Sequence, residues 1–151
     1  MADEMQSFSA MLRIGLGQKL DRDAHSFVEM VADDVVMEFP YAPSGMVSRL
    51  EGKTAIAKHL ESLGGMLQFD GMSEPMVHAS TDPDLVILEF EGFGKGVETG
   101  EAYDQRYISV IRLRNGKIVH YRDYWNPLVV LRALRGSKIV DALIGHGMEH
   151  G

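Results

Sequence analysis

The stretch EAYDQRYISVIRLRNGKIVHYRDYW, residues 101–125, decides the fold. Two runs rich in Val, Ile and Tyr flank Arg114-Asn115-Gly116-Lys117, and each alternates apolar with polar residues. Strict alternation is the mark of a strand with one buried face, and Asn-Gly between two such runs is a strong short-range hairpin signal. The same period of two extends upstream through 75–80 and 85–95, with Thr81-Asp82-Pro83-Asp84 as a turn between them. From about residue 75 the chain therefore reads as a run of antiparallel strands.

The first seventy residues read differently. Phe8, Met11, Leu12, Leu16 and Leu20 recur at helical spacing, although Gly15 and Gly17 weaken that helix. Asp21 and Asp23 offer N-caps to a second helix over 23–32, with Ala24, Phe27, Val28, Val31 and Ala32 as its apolar stripe. Val35–Phe39 is a short β-prone run closed by Pro40. A third helix over about 53–63 carries Ile56, His59, Leu60 and Leu63 on one face, and Gly64-Gly65 is read as its stop. Leu128–Leu134 reads as a closing helix ended by Gly136, with one more turn around Ile139–Leu143. Helices followed by consecutive strands give an α+β domain. We place it at residues 1–136, with 137–151 an extension that frays through His146–Gly151.

Length and composition bound the function. At 151 residues, 45% hydrophobic and 25% charged, the chain suits one folded domain with a real core. There are no cysteines, which removes thiolate chemistry and disulfides. The net charge of −7 is uneven: residues 1–104 hold 19 acids and 7 bases, residues 105–151 hold 3 and 8. No basic tract is interleaved with aromatics, so nucleic acid is not an expected partner. No apolar run is long enough for a membrane span, and the acidic start MADEMQSF is unlike a secretory leader. The expectation is a cytoplasmic protein that does not engage membranes. The histidines show no metal-ligand spacing, so neither a metal nor a cofactor is expected.

If the hairpin of 85–95 with 101–114 pairs about its middle, Val86, Leu88, Phe90, Ile108 and Val110 share one face. With the helices on the other face, such a surface asks for a cover. A second copy of the chain, making a homodimer through the outer sheet face, is the simplest one.

Two groups of motifs carry a family resemblance. One is Ala32-Asp33-Asp34-Val35-Val36-Met37-Glu38-Phe39-Pro40 with Glu51-Gly52-Lys53; the other is Gly116-Lys117-Ile118 leading to Tyr121-Arg122-Asp123-Tyr124-Trp125-Asn126-Pro127. In this order they resemble the nuclear transport factor 2-like fold, shared by ketosteroid isomerases, limonene epoxide hydrolases and SnoaL-like polyketide cyclases. The second half is most similar to the phenazine-biosynthesis A/B branch, through Thr81-Asp82-Pro83, Gly92-Phe93-Gly94-Lys95-Gly96 and Leu131-Arg132-Ala133-Leu134 besides the motifs above. The resemblance implies a cone-shaped curved antiparallel sheet wrapped around three N-terminal helices, a deep apolar cavity, and usually a dimer.

Asp123 is the leading candidate for chemistry. It alternates with Val119, Tyr121 and Trp125, so the carboxyl is expected to face the helices. An acid in an apolar cavity has its pKa raised and can trade a proton near neutral pH. The resemblance implies the same place for an aspartate in epoxide hydrolases and for a proton-donating glutamate in phenazine A/B proteins. The other reading makes Asp123 a hydrogen-bond partner of its neighbours. Glu89, set across from Tyr107 by the pairing above, either joins Asp123 in the cavity or forms a cross-strand ion pair; a slip of one residue in register exchanges the two. His59 is either a base or donor on the helix stripe or a core histidine. Phe39, Tyr41, Tyr107, Ser109, Tyr121 and Trp125 are candidates for the ligand wall, with the tyrosines and the indole as donors. Met37, Met46, Met66, Met72 and Met76 are soft enough to shape a cavity.

The two acids that the resemblance would require of a ketosteroid isomerase fall at Phe39 and Ser109, so that activity is rejected. What stays open is a cofactor-free acid–base isomerase, cyclase or hydrolase acting on a small apolar cyclic molecule, or a binding or dimerisation module that has lost the chemistry.

Overall fold

The computed structural model describes residues 2–138, 140–142 and 145, with side chains from Phe8 onward. Helix α1 (Ala2–Leu16) runs into a single 3₁₀ turn, Gly17–Lys19. A short α2 (Phe27–Met30) leads directly into β1 (Val31–Glu38), followed by β2 (Arg49–Glu51) and α3 (Lys53–Met66). The strands β3 (Leu67–Met72), β4 (Met76–Ala79), β5 (Leu85–Gly96), β6 (Ala102–Arg114) and β7 (Lys117–Trp125) follow, and α4 (Pro127–Arg135) comes after them.

One seven-stranded sheet has the order β2-β1-β7-β6-β5-β3, with β4 also pairing β5. It is antiparallel except where β1 runs parallel to β7. Bulges in β1, β3 and at the β6–β7 ladder bend the sheet. The α+β expectation and the curved sheet with helices on its concave side therefore stand. The Asn115-Gly116 turn takes positive φ at both residues, 52° and 80°, as a tight hairpin of this type requires.

Several expectations need correction. The helix predicted over 23–32 is only four residues long, and its N-cap is Ser26 rather than Asp21 or Asp23. Ser26 accepts from the Glu29 N–H and Glu29 reaches back to the Ser26 N–H. From Val31 the β-branched residues pair with β7, which outcompetes the helical stripe. Gly64 and Gly65 lie inside α3 instead of stopping it. The chain leaves the helix at Leu67, a fully buried anchor that begins β3. β2 and β3 were not foreseen. The stretch Gly92–Gly96 lies in β5, and a Cβ at Gly94 would stand 1.9 Å from the Gln68 carbonyl oxygen, so glycine there permits close backbone contact with β3. Of the turn expected around Ile139–Leu143, residues 140–142 are helical with Val140 buried, while Ile139, Leu143 and the tail expected to fray over 146–151 lie outside the described residues.

The β5–β6 register differs by one residue from a pairing about the middle: Glu89 sits opposite Ile108, and Phe90 opposite Tyr107. The four residues 97–100 make the turn, with Gly96 and Glu101 bonded across it, and this count fixes the ladder. Val86, Leu88 and Phe90 thus face the helices and are buried with Tyr107, Ser109 and Ile111. Ile108 and Val110 go to the opposite face, so the apolar surface proposed from five residues is divided between the two sides.

Candidate active site

Three cross-strand rows of the concave face place the candidates. Ser109 on β6 pairs with Asp123 on β7, Ile111 with Tyr121, and Tyr107 with Trp125. Asp123 thus faces the helices, as its alternation implies, and the inward set of β7 is Ile118, Tyr121, Asp123 and Trp125. Val119 is displaced by the bulge. A hollow of about 80 Å³ lies over Asp123 and Tyr107. His59, Leu60 and Leu63 of α3 roof it, with Phe8 of α1. Met37 and Phe39 wall it on one side, Phe69, Met72 and Phe90 on the other.

The polar chemistry at this hollow is sparse and specific. The Ser109 hydroxyl lies 3.4 Å from Asp123 Oδ1 and 2.7 Å from the Tyr121 hydroxyl. Burial pushes the Asp123 carboxyl up to about 8, against a smaller opposing effect of the Ser109 bond. At neutral pH the group is therefore mostly a neutral acid, able to donate a hydrogen bond or a proton. Burial pushes the His59 imidazole down, so it is neutral at the same pH. Two titratable groups line one hollow with their pKa values displaced toward their uncharged forms.

The Tyr103 and Tyr107 hydroxyls meet at 2.8 Å. Two hydroxyls sharing one hydrogen bond leave one proton over, and Tyr107 is the member that lines the hollow. Burial raises both phenols, Tyr103 to about 12, so they act as donors and not as phenolates. The Phe90 ring stacks on Tyr107 at 4.8 Å, and Phe39 sits between His59 (5.3 Å) and Trp125 (6.2 Å).

Of the residues nominated from sequence, Asp123, His59, Phe39 and Tyr107 line the hollow. Ser109 and Tyr121 lie behind Asp123, both fully buried, with the Tyr121 ring edge-on to Phe27. Trp125 backs Phe39. Two nominations are corrected. Glu89 is on the outer face, exposed and 2.6 Å from His78 Nε2, so it makes no carboxylate pair with Asp123; the one-residue register difference moves it. Tyr41 is 59% exposed and packs against Tyr124 outside the hollow. Among the methionines, Met37 and Met72 shape the hollow, Met46 packs at the core's edge, and Met66 and Met76 are exposed. Tyr103 joins Tyr107 because their i, i+4 spacing on one strand places both on the same face.

The outer face has its own character. A wide groove of about 820 Å³ runs past Tyr41, Met76, Ile108, Tyr124 and the end of β7, rimmed by Glu74, Glu89, Glu91 and Arg106. Glu38 lies 2.6 Å from His120 Nε2, and that bond holds its carboxyl below the usual range. Among the described residues, no three His, Asp or Glu side chains gather as a metal site, and no helix is long and apolar enough to cross a membrane.

Comparison with known proteins places this geometry in context. The family model for the SnoaL-like domain matches residues 20–121. The uncharacterized protein YesE of Bacillus subtilis is 42% identical over 137 residues, 91% of this chain and 93% of that protein. An uncharacterized PhzA/B-like protein of Pseudomonas aeruginosa is 40% identical over 122 residues, 81% and 86% of the two chains. A Bacillus subtilis crystal structure provisionally named an isomerase superposes with a TM-score of 0.73 at 42% identity, covering 89% of this chain and 96% of that one. A phenazine biosynthesis-related protein of Pseudomonas aeruginosa, at 21% identity and TM-score 0.62 over 85% and 83% of the two chains, shares the fold.

Proposed function

The chain belongs to the SnoaL-like domain family, and from that premise we propose that its hollow performs cofactor-free acid–base catalysis on a small, uncharged, largely apolar molecule. The observation that carries this reading is Asp123: a carboxyl raised to about 8 in an apolar hollow, with Ser109 as its hydrogen-bond partner. In this reading Asp123 is the acid, giving a proton as charge develops on a substrate oxygen or carbon and recovering it at the end of the cycle. His59, neutral at the same pH, accepts or relays the matching proton. With Tyr103 donating in their shared bond, the Tyr107 proton is left to polarise a carbonyl or epoxide oxygen. The wall contains no Lys or Arg, which disfavours an anionic ligand.

The hollow is smaller than the several hundred Å³ of most ligand sites, so a cyclic ligand enters as the flexible side chains of Met37 and Met72 swing aside. Isomerisation, cyclisation, dehydration and epoxide opening all use these parts. The provisional isomerase name of the 42%-identical structure favours the first. The protein acts as a cytoplasmic homodimer, with Met76 and Ile108 of the outer face covered by the second copy.

The test is a panel of small cyclic ketones, enones and epoxides, with Trp125, the sole tryptophan, reporting binding by its fluorescence. Asp123→Asn is expected to lower kcat/KM about 10²–10⁴-fold while binding persists. Unchanged turnover in that variant contradicts the assignment. A second reading, a binding module without chemistry, is favoured by Phe39 and Ser109 standing where steroid isomerases need acids; it predicts binding without turnover throughout the panel.

A further inference from the structure

The hydroxyls behind Asp123 form an ordered chain. Tyr121, Ser109 and Asp123 are linked in that sequence, and Ser109 and Tyr121 are fully buried. A serine has one proton to donate. If it is spent on Asp123 Oδ1, the Ser109 oxygen must accept from Tyr121, and the 2.7 Å contact provides that bond. The Tyr121 hydroxyl has no other hydrogen-bond partner among the described residues, so donating to Ser109 satisfies it. Both protons then point the same way, toward the carboxyl.

We propose that Ser109, held by Tyr121, is the positioning residue for Asp123: it makes Oδ1 an acceptor, leaves Oδ2 to carry the acidic proton, and stabilises the carboxylate once that proton has gone. This rests on the acid role given to Asp123 above. The 3.4 Å separation from Ser109 is long for a hydroxyl bonded to a carboxylate and suits the neutral acid. On ionisation the bond becomes charge-assisted and shortens, and the Tyr121 bond is polarised with it. The chain is thus slack before proton donation and taut after it. The other donors near Asp123 are the Tyr103 and Tyr107 pair, whose shared bond engages one of their two protons. His59 shares the hollow as a neutral imidazole.

The experiment is a carboxyl-carbon NMR titration of protein labelled at aspartate, with Asp123→Asn identifying the resonance. In Ser109→Ala the Asp123 midpoint is expected to rise by about one pH unit, the loss of one hydrogen bond to a charged group. In Tyr121→Phe, which keeps the buried ring and so the packing, it rises by about half as much because Ser109 is no longer aimed. Midpoints unmoved or lowered in both variants overturn the proposal. The titration reads ionisation without substrate, so it separates from the catalytic reading. Shifted midpoints in a protein that turns over nothing uphold the positioning role and discard catalysis, and unshifted midpoints in an active enzyme do the reverse.

Discussion

One sheet carries carboxylates on both faces, and the two faces treat them in opposite ways. On the concave side Asp123 has a distant serine hydroxyl and apolar walls, and its proton is held up to about pH 8. On the convex side Glu38 and Glu89 each meet a histidine at 2.6 Å, and Glu38 is held below its ordinary range. The residue types are nearly interchangeable. What differs is the face, which a strand exchanges at every step. The lesson is that desolvation without an opposite charge makes a carboxyl into an acid, while a close hydrogen-bond partner on a solvated face makes it a structural anion.

The largest expected effect that tests this contrast is on stability against pH. The folded Asp123 keeps a proton that the unfolded chain releases above its ordinary value of 3.8. Stability attributable to this group is therefore full below pH 4 and falls as pH rises toward 8, by about 1.4 kcal/mol per unit within that window. Asp123→Asn removes the slope, so the variant overtakes the wild type at alkaline pH in denaturant titrations. Parallel profiles for the two proteins would break the comparison. His59 acts with the opposite sign: its folded pKa is depressed, so its contribution is present above 6.5 and is lost as pH falls below that.

A smaller effect sharpens the view of the convex face. Ile108→Glu places a charge at the centre of the proposed dimer contact, and sedimentation is expected to show a dimer becoming a monomer with the hollow's ligand binding intact. A wild-type monomer at micromolar concentration removes the dimer. The smallest effect belongs to the exposed His78–Glu89 pair. A double-mutant cycle should return only about 0.2–1 kcal/mol. A coupling several times larger would mean that this face is buried in solution.

Much of this was legible in sequence, for physical reasons. The Asn115-Gly116 turn anchors the ladder from within, so the alternation of 117–125 could be followed outward and Asp123 assigned to the concave face. The β5–β6 turn offers no such anchor. Its four residues carry no Asn-Gly pair, and the register depends on how Gly96 and Glu101 close it, so Glu89 was placed one step off. Alternation marks a strand's two faces, while only the ladder shows which face of its neighbour each one joins. The helical stripe of 24–32 misled because Phe27, Val31 and Val35 serve a short helix and then a strand, both packed on one core. The Gly64-Gly65 pair misled because a glycine marks a helix end only where the chain takes positive φ, and here it does not.

The most direct test of the central claim is difference infrared spectroscopy of the wild type against Asp123→Asn. The account predicts a protonated-carboxyl band at neutral pH, absent from the variant and fading with a midpoint near pH 8. A wild-type protein whose only carboxylate–carboxyl transition at this residue lies near pH 4 would contradict it.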